Sequence, residues 1–148
     1  MSTVADLITK KGSDVIGVRE TSTVLEATQR MNDSRVGAVV VIDEAGRLIG
    51  LFTERDVMRR VVAMRRDPEH TRVAEVMTHE VITCDPCDDL EDLAGLMRDH
   101  RIRHIPCVDR AHDGKLCGIV SIGDVNAHHV GQVEAQVHQL SEYVYGRA

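Results

Sequence analysis

Two short stretches set a hydroxyl three residues ahead of a carboxylate. They are Ser121 and Asp124 in GIVSIGDV (residues 118–125), and Thr53 and Asp56 in GLFTERDV (residues 50–57). Each pair follows a glycine and two apolar residues, so each ends a strand and opens a helix. At a helix start the hydroxyl accepts from a free amide and the acid reaches back to the cap, which is a capping box. The same place suits a phosphate, because free amides and the positive end of the helix dipole meet there. An ionised Asp only accepts and takes both hydroxyls of a ribose diol, while Ser or Thr donates to a phosphate oxygen. One pair can therefore span a sugar and its phosphate while still capping its helix.

The two pairs belong to a longer repetition. TVADLIT (residues 3–9) returns as RVAEVMT (72–78), and DVIGV (14–18) returns as EVITC (80–84). Met31, Asp33 and Arg35 recur as Met97, Asp99 and Arg101. The order is kept throughout, so the chain is a tandem duplication. Its second hairpin loop, DRAHDGKL against DEAGRL, is two residues longer.

Each copy reads β-α-β-β-α. A strand (Val15 to Val18; Val81 to Cys84) leads into a helix with apolar residues at helical spacing. These are Val24, Ala27 and Met31 in one copy, and Leu90, Leu93, Ala94 and Met97 in the other. Two strands follow, AVVVI with RLIGLF and HIPCV with KLCGIV, and a second helix starts near Glu54 and near Ile122. The expected fold class is α+β, two such repeats with pseudo-two-fold symmetry plus a C-terminal helix. The expected boundaries are 1–64 for the first unit, 65–75 for a linker containing Asp67–Pro68, 76–130 for the second unit and 131–148 for the helix. In that helix Val130, Val133, Val137, Leu140 and Val144 make one apolar stripe, suited to its own body or a sister subunit. A unit of roughly 60 residues buries little core alone, so the copies should pair and leave clefts between them.

Composition limits the partners. Of 148 residues, 43% are hydrophobic and 28% charged, with one Phe, two Tyr and no Trp, so the core is aliphatic and base-stacking surfaces are scarce. A formal charge of −6 argues against nucleic acid or an anionic membrane as partner, since both need a broad basic face. No charged-then-apolar leader opens the chain, and no apolar run approaches a membrane span. The four cysteines are read as reduced, and a cytoplasmic location is expected.

The repeated glycine–apolar–apolar–[Ser/Thr]–x–x–Asp element, with RHIPCVD (103–109) upstream of its second copy, resembles the CBS domain pair, or Bateman module. The resemblance covers about residues 7–130. It implies a flat homodimer that binds AMP, ADP, ATP or NAD(H), with S-adenosylmethionine less expected, and that senses rather than catalyses. It needs no catalytic cofactor, and its output lies in a separate regulated protein. Carried over, Asp124 holds a ribose and Ser121 a phosphate, with Arg103 and His104 as phosphate donors. Ile105, Pro106 and Thr83 flank the adenine. In the first copy the equivalents are Thr53 and Asp56 with Ile16, Gly17 and Val18, and Arg55 is an added charge. Arg103 and His104 align with Gly37 and Ala38, so the second cleft is expected to be the better phosphate site.

CDPC (Cys84 to Cys87) invites a zinc or thiol-redox reading, but a structural zinc wants four ligands and no second CxxC exists. His128 and His129 are adjacent and point apart on a helix. No P-loop and no dinucleotide GxGxxG is present, so a nucleotide would be held and not hydrolysed. A zinc- or thiol-based module and a ligand-free dimerisation module are the alternatives.

Overall fold

The computed structural model describes residues 2–12 and 15–145. In chain order it contains α1 (Val4–Lys11), β1 (Gly17–Arg19), α2 (Val24–Ser34), β2 (Ala38–Ile42), β3 (Leu48–Thr53) and α3 (Glu54–Asp56), which runs on as a π-helical turn at Val57–Val62. Then come α4 (Val73–Val76), α5 (Leu90–His100), β4 (His104–Asp109), β5 (Lys115–Ser121) and α6 (Ile122–Tyr145). The helix periodicities hold: α2 buries Val24, Ala27 and Met31, and α5 buries Leu90, Leu93 and Met97. Thr23 with Glu26 forms a capping box at the start of α2, as Thr3 with Asp6 does for α1.

In the first unit β1 runs parallel to β2, and β2 runs antiparallel to β3. In the second unit β4 and β5 pair antiparallel, but the expected strand at Val81 to Cys84 shrinks to one bridge between Cys84 and Cys107. A single atom explains the loss. In the first unit Val40 N–H donates to Ile16 O (3.1 Å), and the residue at the same place in the second unit is Pro106, which has no N–H to give. The ladder therefore keeps only the rungs from Cys84 N–H to Pro106 O and from Val108 N–H to Cys84 O.

The helical segment that opens each unit completes the other unit's core. Val4 and Leu7 of α1 are buried with Leu90, Leu93, Met97 and Ile105. Val73, Val76 and Met77 of the α4 segment are buried with Val24, Ala27, Met31 and Phe52. Backbone bonds fix both crossings: Val4 N–H to Asp88 O and Leu90 N–H to Ser2 O, then Val73 N–H to Ser22 O and Val24 N–H to Thr71 O. A third apolar cluster joins the two sheets, combining Ala38, Val40 and Leu51 with Val81, Leu116 and Ile119.

The glycine that begins each repeated element is where the exchanged segment lies down. A Cβ on Gly50 would fall 2.5 Å from Met77 Sδ and 3.1 Å from the Thr78 carbonyl oxygen. On Gly118 it would meet the end of the Ile8 side chain at 3.2 Å. The C-terminal helix is continuous with the helix that closes the second unit. Val125 is buried, while Val130, Val133, Val137, Leu140 and Val144 are exposed. Among the described residues no helix is long and apolar enough to cross a membrane.

Because Thr78 presents backbone and Ile8 only a flexible side-chain tip, the two glycines should differ in tolerance. Gly50→Ala should lower stability by about 1–3 kcal/mol through overpacking, and Gly118→Ala by clearly less. Urea denaturation of both variants against wild type measures this, and equal losses would contradict it.

Candidate functional site

Both hydroxyl–carboxylate pairs are capping boxes or close to it. Thr53 N–H and Oγ1–H donate to Asp56 Oδ2 at 2.9 and 3.2 Å, and Asp56 N–H donates back to Thr53 Oγ1 at 3.4 Å. Ser121 N–H donates to Asp124 Oδ2 at 2.9 Å, and Asp124 N–H donates to Ser121 Oγ at 3.1 Å. What differs is the surroundings of each carboxylate.

Thr53 and Asp56 stand at one side of a cleft of about 300 Å³ formed between the units. Leu51, Val81, Ile82 and Ile102 supply its apolar wall. Arg55 enters from α3, and the π turn adds Arg59 and Arg60; the second unit contributes Arg101, Arg103 and His104. Arg60 is committed: it donates to the Val76 and Met77 carbonyls and stands 3.6 Å from Asp56 Oδ1. Among the described residues, the Arg55, Arg59, Arg101 and Arg103 side chains have no hydrogen-bond or ion-pair partner. Glu54 and Glu80 are the acidic residues that share the cleft with Asp56. Arg101 caps α5 in the left-handed conformation (φ 53°), as Arg35 caps α2 (φ 55°), which is costly for a residue with a Cβ.

The structure brings Arg103 and His104 to the Thr53–Asp56 cleft while keeping His104 opposite Ser121 across the β4–β5 pair, whereas the sequence reading grouped them with Ser121 and Asp124 alone. The reason lies in packing: β4 lies in the second unit, but its N-terminal end opens toward the first. Arg103 and His104 also border a broader hollow of about 610 Å³ with Arg35, Gly37, Glu54 and Ser121. A Cβ on Gly37 would sit 3.2 Å from the Glu54 carboxylate and 3.3 Å from His104 Cε1. Gly37, which the alignment reads only as a missing donor, therefore makes the room that lets His104 and Glu54 approach.

Other expected positions lie elsewhere. Ile105 is wholly buried in the second core and Val18 is buried in the first, so neither side chain is a cleft wall. Pro106 is fully buried, and Ile16 packs against the first core. Gly17 borders a separate hollow with Val15, Val40 and Lys115. Thr83 is half-buried and does not line the Asp56 cleft.

Lys11 is the residue that sequence reasoning missed. Its Nζ donates to Asp124 Oδ2 at 2.5 Å and to Ile119 O at 2.7 Å. A signal was present: four residues separate Thr9 from Asp14, while only His79 separates Thr78 from Glu80. The first copy thus carries three extra residues, and Lys11 is among the four there. The cysteines are free, with Cys107 and Cys117 Sγ atoms 3.3 Å apart. Burial pushes the Cys117 thiol up to about 12, and a hydrogen bond with Cys84 raises Cys107 further. Among the described residues no group of three or more His, Cys, Asp or Glu is placed to hold a metal ion.

The CBS domain profile matches residues 4–63 and 73–129. The chain belongs to the CBS domain family and carries two copies in tandem. It is 37% identical over 135 residues to the CBS domain-containing protein YhcV of Bacillus subtilis, covering 91% of each. A CBS-domain structure from Burkholderia ambifaria, described as a putative signal-transduction protein, superposes with a TM-score of 0.82 at 34% identity, covering 88% of this chain and 95% of that one. Two further CBS structures carry ligands. One, from Pyrobaculum aerophilum, is complexed with AMP (28% identity, 83% of this chain and 89% of that one, TM-score 0.74). The other is Hypoxic Response Protein I with two coordinated zinc ions (26% identity, 86% and 99%, TM-score 0.71).

His104 is half-buried, and burial holds its imidazole below the ordinary value; Glu54 and Asp124 oppose this, while Lys11 and Arg103 add to it. A base whose folded value is depressed gives stability that is complete above its unfolded value of about 6.5. That stability is lost as pH falls toward the folded value, because the unfolded chain binds the proton first. The difference in melting temperature between wild type and His104→Gln should therefore shrink from pH 7.5 to pH 5. A constant difference would contradict the burial of a neutral imidazole.

Proposed function

We propose that this CBS pair binds adenine nucleotides as a regulatory protein and holds them in the Thr53–Asp56 cleft. The observation that carries this reading is the joining, in one cleft, of the Asp56 carboxylate, an apolar wall and four guanidinium groups that have no partner among the described residues. Asp56 takes the ribose hydroxyls, and Thr53 with the α3 amides faces the first phosphate. Arg103 and His104, with Arg55, Arg59 and Arg101, take the rest. AMP in the Pyrobaculum relative supports the ligand class. So many cations set against Glu54 and Glu80 favour ADP or ATP over AMP, and disfavour the sulfonium of S-adenosylmethionine. NAD(H), with its diphosphate, is the alternative ligand.

The role is regulatory and not catalytic. A ligand that touches Thr53 and Asp56 in one unit and Arg103 and His104 in the other favours the arrangement in which both sets of contacts exist. It shifts that equilibrium only by its differential affinity. At 100 times its dissociation constant it would add about 2.7 kcal/mol of stability. The changed arrangement is read by a separate protein.

The same reading includes a homodimer, joined through the exposed stripe on α6. Val130, Val133, Val137, Leu140 and Val144 repeat at spacings of three and four, the spacing of the seam between two parallel helices. In that pairing His129 of one copy faces Glu134 of the other. Val137→Glu with Leu140→Glu should shift the sedimentation coefficient from dimer to monomer while each chain keeps its fold; an unchanged coefficient would remove the helix from the interface.

Calorimetry tests the ligand. Wild type should bind ATP more tightly than AMP, and Asp56→Asn should lose about tenfold or more, the size of a charged hydrogen bond. Arg103→Ala should weaken ATP more than AMP. Failure of wild type to bind AMP, ADP, ATP or NAD(H) would end the nucleotide reading. Stoichiometric zinc in the purified protein would favour the metal alternative.

A further inference from the structure

The two carboxylates of the repeated element meet different cations, and one side chain makes the difference. Lys11 ends α1, one helical turn beyond the point where α4 stops in the other crossing. In the α4 crossing the chain turns extended at Met77, and Thr78 pairs with Leu51 backbone to backbone, N–H to O in both directions at 3.0 and 2.9 Å. In the α1 crossing the extra residues carry the helix on to Lys11 and the chain leaves at Gly12, with φ 96°. Thr9, the counterpart of Thr78, has its hydroxyl on the Ala5 carbonyl within the helix. The carbonyl of Ile119, the counterpart of Leu51, is taken by the Lys11 ammonium. The same ammonium lies on Asp124, and both side chains are largely covered, at 33% and 25% exposure. Among the described residues no ammonium takes that place in the first cleft. Asp56 is the more covered carboxylate, at 12% exposure, but its cation is held off: the Arg60 guanidinium stands 3.6 Å from Oδ1 and is anchored to the Val76 and Met77 carbonyls.

We infer that Lys11 closes the Asp124 carboxylate to a ribose diol and so decides that the Thr53–Asp56 cleft is the one that takes nucleotide. This rests on the nucleotide reading above. An ammonium in hydrogen-bond contact occupies a lone pair that a diol needs, and it is tethered by α1 at far higher effective concentration than a free ligand. Consistently, although burial works to raise the Asp124 carboxyl, the Lys11 and Ser121 hydrogen bonds outweigh it and hold it low. A nucleotide entering there would have to break the ion pair and leave Ile119 O without its donor.

The test counts ATP per chain by calorimetry in wild type, Lys11→Met, Lys11→Arg and Lys11→Met with Asp124→Asn. One ATP is expected for wild type and for Lys11→Arg. Lys11→Met should bind two, and the double variant one again. Should Lys11→Met fail to fold, Lys11→Gln takes its place, with cooperative melting as the check. Unchanged stoichiometry in the folded Met or Gln variant overturns the inference. So does loss of a site, which would make Lys11 a phosphate donor. If wild type takes up no ATP, the reading of the Asp56 cleft fails. The Lys11 inference then survives only if Lys11→Met gains a site that Asp124→Asn removes, and otherwise falls with it. Independently of nucleotide, the Asp124 carboxyl followed by NMR should titrate higher in Lys11→Met.

Discussion

Everything in this structure hangs on the crossed burial of two short helical segments. Val4 and Leu7 finish the core of the second unit, and Val73, Val76 and Met77 finish that of the first. Without the crossing each unit would expose an apolar face that its own small set of helices cannot cover. The exchange locks the repeats into one body and fixes where the clefts fall. Each capping pair sits at the end of the strand on which the other unit's segment lies, so a capping pair in one unit always faces residues from the other. The glycine ahead of each pair is part of the same constraint, because a side chain there would lift the incoming segment off the strand. The repeated motif therefore joins two requirements in one short stretch: close approach at its first residue, and an acceptor at its last.

Within this symmetric plan, small differences in sequence produce unequal clefts. Pro106 removes one backbone donor and with it most of the edge strand at Val81 to Cys84. Three additional residues between Thr9 and Asp14 lengthen one helical segment and deliver an ammonium where the other crossing delivers backbone. Gly37 in place of a larger residue leaves room beside it for both His104 and Glu54. Each of these changes stays local, and the crossed packing of the two units is kept. Each changes the charge or the donors that a ligand would meet. Divergence between the copies is therefore concentrated in the clefts, while the buried apolar positions keep their pattern.

What the sequence made legible follows from the range of each interaction. The duplication, the helix faces and both capping pairs are local, and periodicity or a three-residue spacing reveals them. The membership of the cleft is not local. That Arg103 and His104 meet Thr53 and Asp56 depends on which end of β4 faces the first unit, and nothing within the residues around 103 encodes that. Ile105 and Val18 were expected beside a ligand because the family resemblance carried those positions over. In a strand, neighbours point to opposite faces, and the core took them. Pro106 and the changed spacing after Thr9 were both visible in the sequence. Their meaning depended on knowing which backbone group each would deprive or approach.

The gathering of several guanidinium groups in one cleft has a physical cost that Glu54, Asp56 and Glu80 offset only in part, being fewer than the arginines there. Arg55, Arg59, Arg101 and Arg103 repel one another across the cleft between the units, and Arg101 also holds a left-handed conformation that costs energy for a side chain with a Cβ. This repulsion acts against the apolar cluster of Ala38, Val40, Leu51, Val81, Leu116 and Ile119 that joins the units. A polyanion bound between them would reverse the sign of the electrostatic contribution while leaving the apolar one unchanged. In the proposed reading the relative position of the units is thus set by a contest between a fixed attraction and a ligand-dependent charge. His104 and Glu54 lie at the centre of that contest, because both border the Asp56 cleft and the hollow beside Ser121. Charge brought to either side is felt by the same two groups, and by linkage whatever one site does to the other is returned in equal measure.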